Sequence, residues 1–435
     1  MERKAAILFL FLFSGLYSCK KDSPAGYPTL TLNSPYNLEY FNVPGTIHVT
    51  GHASDSRSLT SITISLTNSQ SIPVEQTVSL TITSNNMDFS CNYSLSDVHL
   101  SSGQYYITIK AFNGTNTTSA FQKIYIDALP TRRTAIYAIT RNSAGVHAWG
   151  IDSSFKVSPS LSYTVPGDYS SSDIDCYYQQ LYTAGKDSGN VNVYSVPDVT
   201  PYWSLPATIG SSPFFTNVYC NVDNEFVSYY LGYIKCYNHR GVLQSVYNSL
   251  FGYYPIKTFL WSGWLFAEQK DISSSQEYLL SYYASTTASY QQALLAGPMV
   301  AMYGYDNNDL FVFGNTASSG AYMQLYNINT NLFFSPVSLS AYGQLLSVAQ
   351  VNENTYLLSF NNGTIYQYTY NPNSIVPYIG GTIASNVRYD SINNQVVTSA
   401  GNTVNAYNYG ISNATLVNSV ILADSIRDIR VLYNK

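Results

Sequence analysis

The sequence predicts an all-β chain in two parts, a small sandwich followed by a ring of seven similar sheets. Three observations predict it. An aromatic residue recurs at Trp149, Tyr194, Tyr237, Tyr282, Tyr326, Tyr368 and Tyr407, at intervals of 45, 43, 45, 44, 42 and 39 residues. A period of roughly 40 to 50 residues is that of a β-propeller, whose blades are four-stranded sheets. The composition is that of strands and turns: 42 tyrosines, only 10% charged residues, and Ser, Thr and Asn crowded between short apolar runs. Aromatic and β-branched side chains suit a pleated, half-buried surface, and small polar ones suit turns. Finally, residues 28–128 carry short alternating strands in the number a sandwich needs.

The N-terminus reads as a separate object. Arg3 and Lys4 precede a short apolar run from Ala5 to Phe13, which ends in Leu16-Tyr17-Ser18-Cys19. A run this short is a secretory signal rather than a membrane span. Its last four residues resemble a bacterial lipobox, which implies lipidation of Cys19, a signal peptide over residues 1–18 and a lipidated tether over 19–27. Ser-Cys-Lys-Lys-Asp resembles the start of Bacteroidetes outer-membrane lipoproteins, which implies a lipid anchor in the outer membrane; the acidic tag that marks such proteins for the cell surface is reduced to Asp22 behind two lysines, which leaves either leaflet open. Several acyl chains provide stable anchoring. Without residues 1–18 the chain carries 18 basic and 24 acidic residues. That balance, with no basic cluster, argues against nucleic acid as a partner.

From Pro28 to Ala128 the alternation predicts strands at Thr29–Leu32, Ile47–Gly51, Ile62–Leu66, Val78–Thr83, Asp88–Tyr93, Tyr105–Ala111 and Phe121–Ile126. Seven strands in such a span fit an immunoglobulin-like β-sandwich. Tyr105, Ile107, Ile109 and Ala111 should face the core, and Tyr106, Thr108 and Lys110 the solvent. The Gly-x-Tyr-x-Ile-x-Ile-x-Ala run from Gly103 resembles the late strand of bacterial immunoglobulin-like domains, which implies a corner role for Tyr105.

After a hinge at Leu129-Pro130, residues 131–435 divide into seven units of about 44 residues, the expected seven-bladed β-propeller. One unit shows the grammar: Asp173–Tyr178 innermost, then Gln180–Ala184, Asn190–Ser195 and Pro201–Leu205. The first unit lacks an innermost strand, since Thr134–Ile139 already aligns with the second position. Ile426–Leu432 aligns with the innermost strands and has no strand after it, so it should complete the first sheet and close the ring.

Nucleophile-elbow, Cys-x-x-Cys, His-Glu-x-x-His, phosphate-loop and dinucleotide motifs do not occur in the sequence, which points away from an enzyme. No cofactor or metal is expected. His48 and His52 would be separated by about 13 Å along a strand, too far for one ion. Asp306-Asn-Asn-Asp309 looks like a calcium segment, but equivalent positions of other repeats carry similar Asn and Asp residues, as hairpins do. Cys91, Cys176, Cys220 and Cys236 read as buried free thiols. Asp390-Ser391-Ile392 and Asp424-Ser425-Ile426 resemble Bacteroidetes O-glycosylation sites, which implies modification of Ser391 and Ser425.

Ligand contacts are expected where outer strands cross to the next innermost strand and where second strands turn into third ones. Those loops carry Tyr169, Phe214, Phe215, Phe251, Tyr253, Tyr254, Tyr290 and Tyr342, with Lys186 in one turn and Lys270 in the Glu268–Glu277 loop. Aromatic rings with hydroxyl handles suit sugars or protein partners, and the same rings could instead pack between blades. The functional expectation is a membrane-anchored binding or interaction module for a glycan or an envelope protein. The alternatives are a glycan-cleaving propeller enzyme, a glycosidase or lyase, and a purely structural lipoprotein. Acids clustered around a central channel would favour catalysis.

Overall fold

The computed structural model describes residues 26–208, 213–318 and 320–435. Cys19 and the expected signal peptide lie outside the described residues. The described chain is all-β, interrupted by two 3-10 turns, and divides into two compact units at Pro130/Thr131.

The first unit has eight strands: β1 (Thr29–Ser34), β2 (Glu39–Asn42), β3 (Gly45–Ser54), β4 (Ser61–Thr67), β5 (Val78–Leu80), β6 (Asn86–Leu95), β7 (Gly103–Phe112) and β8 (Thr117–Asp127). They form two sheets, β1-β3-β6 and β2-β8-β7-β4-β5. The seven expected strands are present, and β2, a four-residue segment pairing parallel to β8, is additional. Inward residues from both sheets, among them Ile47, Val49, Ile64, Tyr93, Ile107 and Ile109, make one core. Tyr105, Ile107, Ile109 and Ala111 are buried as the alternation requires, and the Tyr105 hydroxyl donates to the carbonyl of Ser101 at 3.0 Å, closing the corner. Thr108 departs from expectation: it is buried on the other face, where its hydroxyl and that of Thr67 on β4 lie 2.9 Å apart. His48 and His52 face cross-strand partners, Asn92 at 2.9 Å and Asp88 at 2.8 Å.

The second unit contains seven four-stranded antiparallel sheets. In sheets 2 to 7, spanning 171–205, 215–248, 253–294, 299–338, 345–379 and 386–421, the four strands are consecutive. Sheet 1 differs as expected. Arg133–Asn142, Gly145–Ile151 and Tyr163–Val165 supply three strands, and the C-terminal Ile426–Tyr433 pairs antiparallel with Arg133–Asn142 as the fourth. All seven periodic aromatics fall on third strands. In sheets 2, 3, 4 and 7 the pairing with the fourth strand shifts register immediately before the aromatic. Such a bulge increases local twist and re-aims the side chain.

These aromatics hold consecutive sheets together. Tyr282 of sheet 4 packs with Phe226, Cys236 and Tyr247 of sheet 3. Tyr326 of sheet 5 packs with Phe266 and Leu279 of sheet 4, and Tyr368 of sheet 6 with Phe311 and Phe313 of sheet 5. The same relation joins Tyr237 to sheet 2, Tyr194 to sheet 1 and Tyr407 to sheet 6. Trp149 of sheet 1 continues the series by packing with Val397 and Val404 of sheet 7. The contacts therefore run from sheet 1 to sheet 7 and back to sheet 1.

A polar clasp reinforces that last junction. Asp390 of sheet 7 is fully buried and accepts from Arg133 Nη1 at 2.9 Å and from the Tyr433 hydroxyl at 3.1 Å, both in sheet 1. Arg133 also donates to Gln395 Oε1 at 2.9 Å. Removing one partner of a buried pair leaves an uncompensated charge, which costs roughly 3–5 kcal/mol. Asp390→Ala is accordingly expected to destabilise the second unit by about that amount in denaturant melts. A loss below about 1 kcal/mol, the scale of an exposed pair, would contradict the clasp.

Candidate functional site

The structure separates the residues expected to bind a ligand. Tyr169 lines a central cavity, with its hydroxyl 3.0 Å from Ser172 Oγ. Burial, assisted by the nearby Asp428 carboxylate, raises that hydroxyl above the ordinary phenol range. Phe214 and Phe215 correct the expectation: both are buried against Tyr229, Tyr182 and Val193 in the core between sheets 2 and 3. Tyr253, Tyr254 and Lys270 come together at one end of sheet 4, where Tyr254 pairs across the strands with Lys270 and its ring lies 4.4 Å from that of Tyr230. Lys270 is on the strand Trp264–Asp271 rather than in a loop, with Nζ 3.9 Å from Glu277 Oε1. Phe251, just before this strand pair, is fully exposed.

Tyr290 is a second correction. It belongs to the outermost strand of sheet 4, Ser289–Leu294, and packs with Trp264 and Tyr283 beside the turn between first and second strands, at the opposite end of the sheet from Tyr253. Lys186 is exposed, but its loop is not free. The Asp168 carboxylate accepts backbone N–H groups of Lys186, Asp187, Ser188 and Gly189 at 2.7–3.1 Å. Burial alone would raise this carboxyl, and the four bonds outweigh it and lower it. The nest is thus filled by a side chain of the protein itself. Ser391 and Ser425 are both exposed. Asp306 Oδ1 accepts from the N–H groups of Asn308 and Asp309, so that segment is a hydrogen-bonded turn. Cys91, Cys176, Cys220 and Cys236 are free thiols, with Cys236 fully buried and the others half-buried.

Innermost strands of all seven sheets line one cavity of about 800 Å³. Its charged residues were not singled out from the sequence, and they form a connected network. Asp428 accepts from Arg388 Nη2 at 2.8 Å through Oδ1, and from Arg430 at 2.7 Å and Ser172 Oγ at 3.0 Å through Oδ2. Arg430 continues to Asp173 Oδ1 at 2.7 Å and to the Ser172 carbonyl, while Asp173 Oδ2 accepts the Cys220 N–H at 2.8 Å. The charges join sheets 7, 1 and 2. Burial raises the Asp173 carboxyl and Arg430 opposes it, whereas at Arg430 burial works against the charge and the two carboxylates outweigh it, pushing the guanidinium up. Across the cavity Lys257 of sheet 4 donates to the Met299 carbonyl and lies 3.8 Å from the buried Glu268, whose carboxyl burial raises against the pull of Lys257. A signal did exist: in a chain with 10% charged residues, Arg427, Asp428 and Arg430 crowd one strand.

Comparison with known proteins supports the first unit. Residues 28–109 match the family of bacterial Ig domains, and this unit is an immunoglobulin-like domain. No curated protein sequence matches the chain. Among solved structures, a chain in the crystal structure of a mitotic checkpoint complex is similar at 12% identity and TM-score 0.50, over 60% of this chain and 81% of its own. At that identity the likeness concerns the fold alone. The computationally designed Ika8 protein is similar at 14% identity and TM-score 0.47, over 68% of this chain and 90% of its own.

Glu225 lies outside the cavity and yields a direct test of the packing between sheets 2 and 3. It opens the second strand of sheet 3, where sheets 2 and 7 carry the neutral Gln180 and Gln395, and its side chain is fully buried beside Cys220 and Tyr182 with no cation paired to it among the described residues. Burial, with Asp175 nearby, pushes its pKa up to about 8 from 4.5. Between those values the folded chain keeps a proton that the unfolded chain releases. Stability from this site is therefore complete below pH 4.5 and is lost as pH rises through about 8, by at most about 1.4 kcal/mol per pH unit. Glu225→Gln is expected to flatten this slope in denaturant melts at pH 5 to 9. An unchanged slope would contradict the assignment.

Proposed function

We propose that the seven sheets are the blades of a seven-bladed β-propeller closed by the C-terminal strand, and that the chain is an envelope lipoprotein, anchored in the outer membrane through Cys19, that binds a glycan or a partner envelope protein. The observation that carries the binding reading is the state of the carboxylates in the central cavity. Glycoside hydrolysis by the usual route needs a protonated acid and a second carboxylate free to act on sugar or water. Asp173 instead accepts from Arg430 through Oδ1 and from the Cys220 N–H through Oδ2, while Asp428 accepts from Arg388 and the Ile429 N–H through Oδ1 and from Arg430 and Ser172 Oγ through Oδ2. Side chains held in this way shape and polarise a site rather than exchange protons in it.

The cyclic order of the aromatic contacts and the shared cavity support the propeller. The bacterial immunoglobulin-like domain supports a surface or interaction role, here as a spacer between the lipid and the binding unit. Among the described residues no helix is long and apolar enough to cross a membrane, so a lipid on Cys19 would provide the anchor. The fully exposed Phe251, with Tyr253 and Tyr254 beside it, supplies apolar contact area at one end of sheet 4. The exposed hydroxyls of Ser391 and Ser425 suit the glycosylation that their sequence context implies.

Two measurements test this reading. The full chain in detergent, applied to a glycan array, is expected to bind a restricted set of glycans without shortening them. Cleavage of any arrayed glycan would overturn the non-catalytic reading. In cell fractionation Cys19→Ala is expected to move the protein out of the membrane fraction, and its retention there would overturn the lipid anchor.

A further inference from the structure

Four cationic side chains line the central cavity, Lys257, Arg388, Arg427 and Arg430, against two carboxylates, Asp173 and Asp428. The chain as a whole has a net charge of −5, so the cavity locally inverts the sign of the protein. Arg388 and Arg430 are consumed by the two carboxylates. Arg427 is different. It is exposed, lines the cavity, and makes no side-chain hydrogen bond or ion pair among the described residues.

Its position is built rather than incidental. In sheet 1 Ile426 pairs with Thr140 and Asp428 with Ile139, so Arg427 is the extra residue of a β-bulge. The innermost strands of sheets 3 to 6 have a bulge at the same place, and their extra residues are Thr216, Ile256, Val300 and Leu346, none of them charged. A bulge re-aims its side chain out of the ladder, and only sheet 1 uses it to present a guanidinium. Lys257 directly follows the bulge in sheet 4, where sheets 3, 5 and 6 carry Asn217, Ala301 and Ser347. Its ammonium, which also donates to the Met299 carbonyl and lies 3.8 Å from Glu268, adds a second, partly neutralised cation at the corresponding level.

Between these charges the lining mixes apolar side chains such as Val300 and Leu346 with hydroxyls and amides, those of Ser171, Asn217, Thr258, Gln350 and Asn386. Such groups suit the hydroxyls of a sugar, and about 800 Å³ is the size of a small-molecule site. A guanidinium matches a carboxylate in bidentate geometry. We propose that the central cavity binds a sugar bearing a carboxylate, with Arg427 as the direct partner of that carboxylate and Lys257 as the second cation of the site. This rests on the reading of the cavity as a binding site and names the class of ligand.

The test is calorimetric titration of the full chain in detergent with uronate di- and trisaccharides and sialyllactose, their methyl esters, the matching neutral sugars and orthophosphate. At least one acidic sugar is expected to bind, more weakly as salt rises, with its methyl ester and Arg427→Ala each weakening it at least tenfold. Arg427→Lys should recover part of the loss, because charge remains and the fork is lost. Lys257→Met should weaken binding several-fold. Arg427 has no partner to lose, so the melting curve of Arg427→Ala should match wild type, which separates lost binding from lost folding. An ester binding as tightly as its acid, unchanged binding by Arg427→Ala, or a neutral sugar preferred over every acidic one would overturn the inference and leave the binding module standing. Orthophosphate binding as tightly as the acidic sugar would overturn the assignment to a sugar. No binding by any sugar here or on the array would overturn both the inference and a glycan-binding role.

Discussion

The pairing of Ile426–Tyr433 with Arg133–Asn142 is the constraint on which the second unit depends. It joins segments about as far apart as this unit allows: Arg132 donates its N–H to Asn434 Oδ1 across 302 positions of sequence. Closing such a span has an entropic cost that local hairpins do not bear. In return sheet 1 receives its innermost strand, the second strand Arg133–Asn142 is paired on both sides, and Trp149 acquires sheet 7 to pack on. The same strand carries Arg427, Asp428 and Arg430 into the cavity. Closure and candidate site are thus one structural object, and a change that loosens the first removes the second.

The junctions are not made alike. Between sheets 2 and 7 the packing is aromatic and aliphatic around one large third-strand ring, with hydrogen bonds such as Thr216 Oγ1 to the Pro255 carbonyl and Tyr303 hydroxyl to the Val348 carbonyl but, among the described residues, no ion pair from sheet to sheet. The junctions that include sheet 1 add charge: Arg133 with Asp390, Arg388 with Asp428, and Arg430 with Asp173. Buried ion pairs add little net stability because desolvation opposes the Coulomb gain, yet they penalise any arrangement that leaves one partner unpaired. At the one place where distant segments must find each other, directional bonds would favour the native neighbour over an apolar near-match. The aromatic junctions need less direction because their strands are consecutive in the chain.

Periodicity made most of the architecture legible before any coordinates. The repeated aromatic marked third strands, and the orphan strand after Ser425 marked the completion of sheet 1, because both are properties of spacing. Local environment was less legible. β2 escaped notice because four residues between Pro35 and Pro44 show too little alternation to register. Thr108 looked solvent-facing because a hydroxyl can be buried when another hydroxyl, here Thr67, satisfies it. Phe214 and Phe215 were taken for loop residues because the chain is already entering its strand there, and Tyr290 because the outer strand begins earlier than its polar sequence suggests. The charged cavity was hidden for a different reason. Asp173, Arg388 and Arg430 lie 215 and 42 positions apart in succession, and only the folding of separate innermost strands around one space brings them together.

The most direct test of this account is hydrogen exchange of the wild-type chain, resolved by peptide. The ladder-bonded amides of Ile426–Tyr433 are expected to exchange as slowly as those of Arg133–Asn142, since the two strands pair in one sheet and open together. A C-terminal peptide that exchanges within seconds while Arg133–Asn142 stays protected would contradict it. The last strand would then not hold the second unit together, and Arg427 would have no fixed place at the cavity.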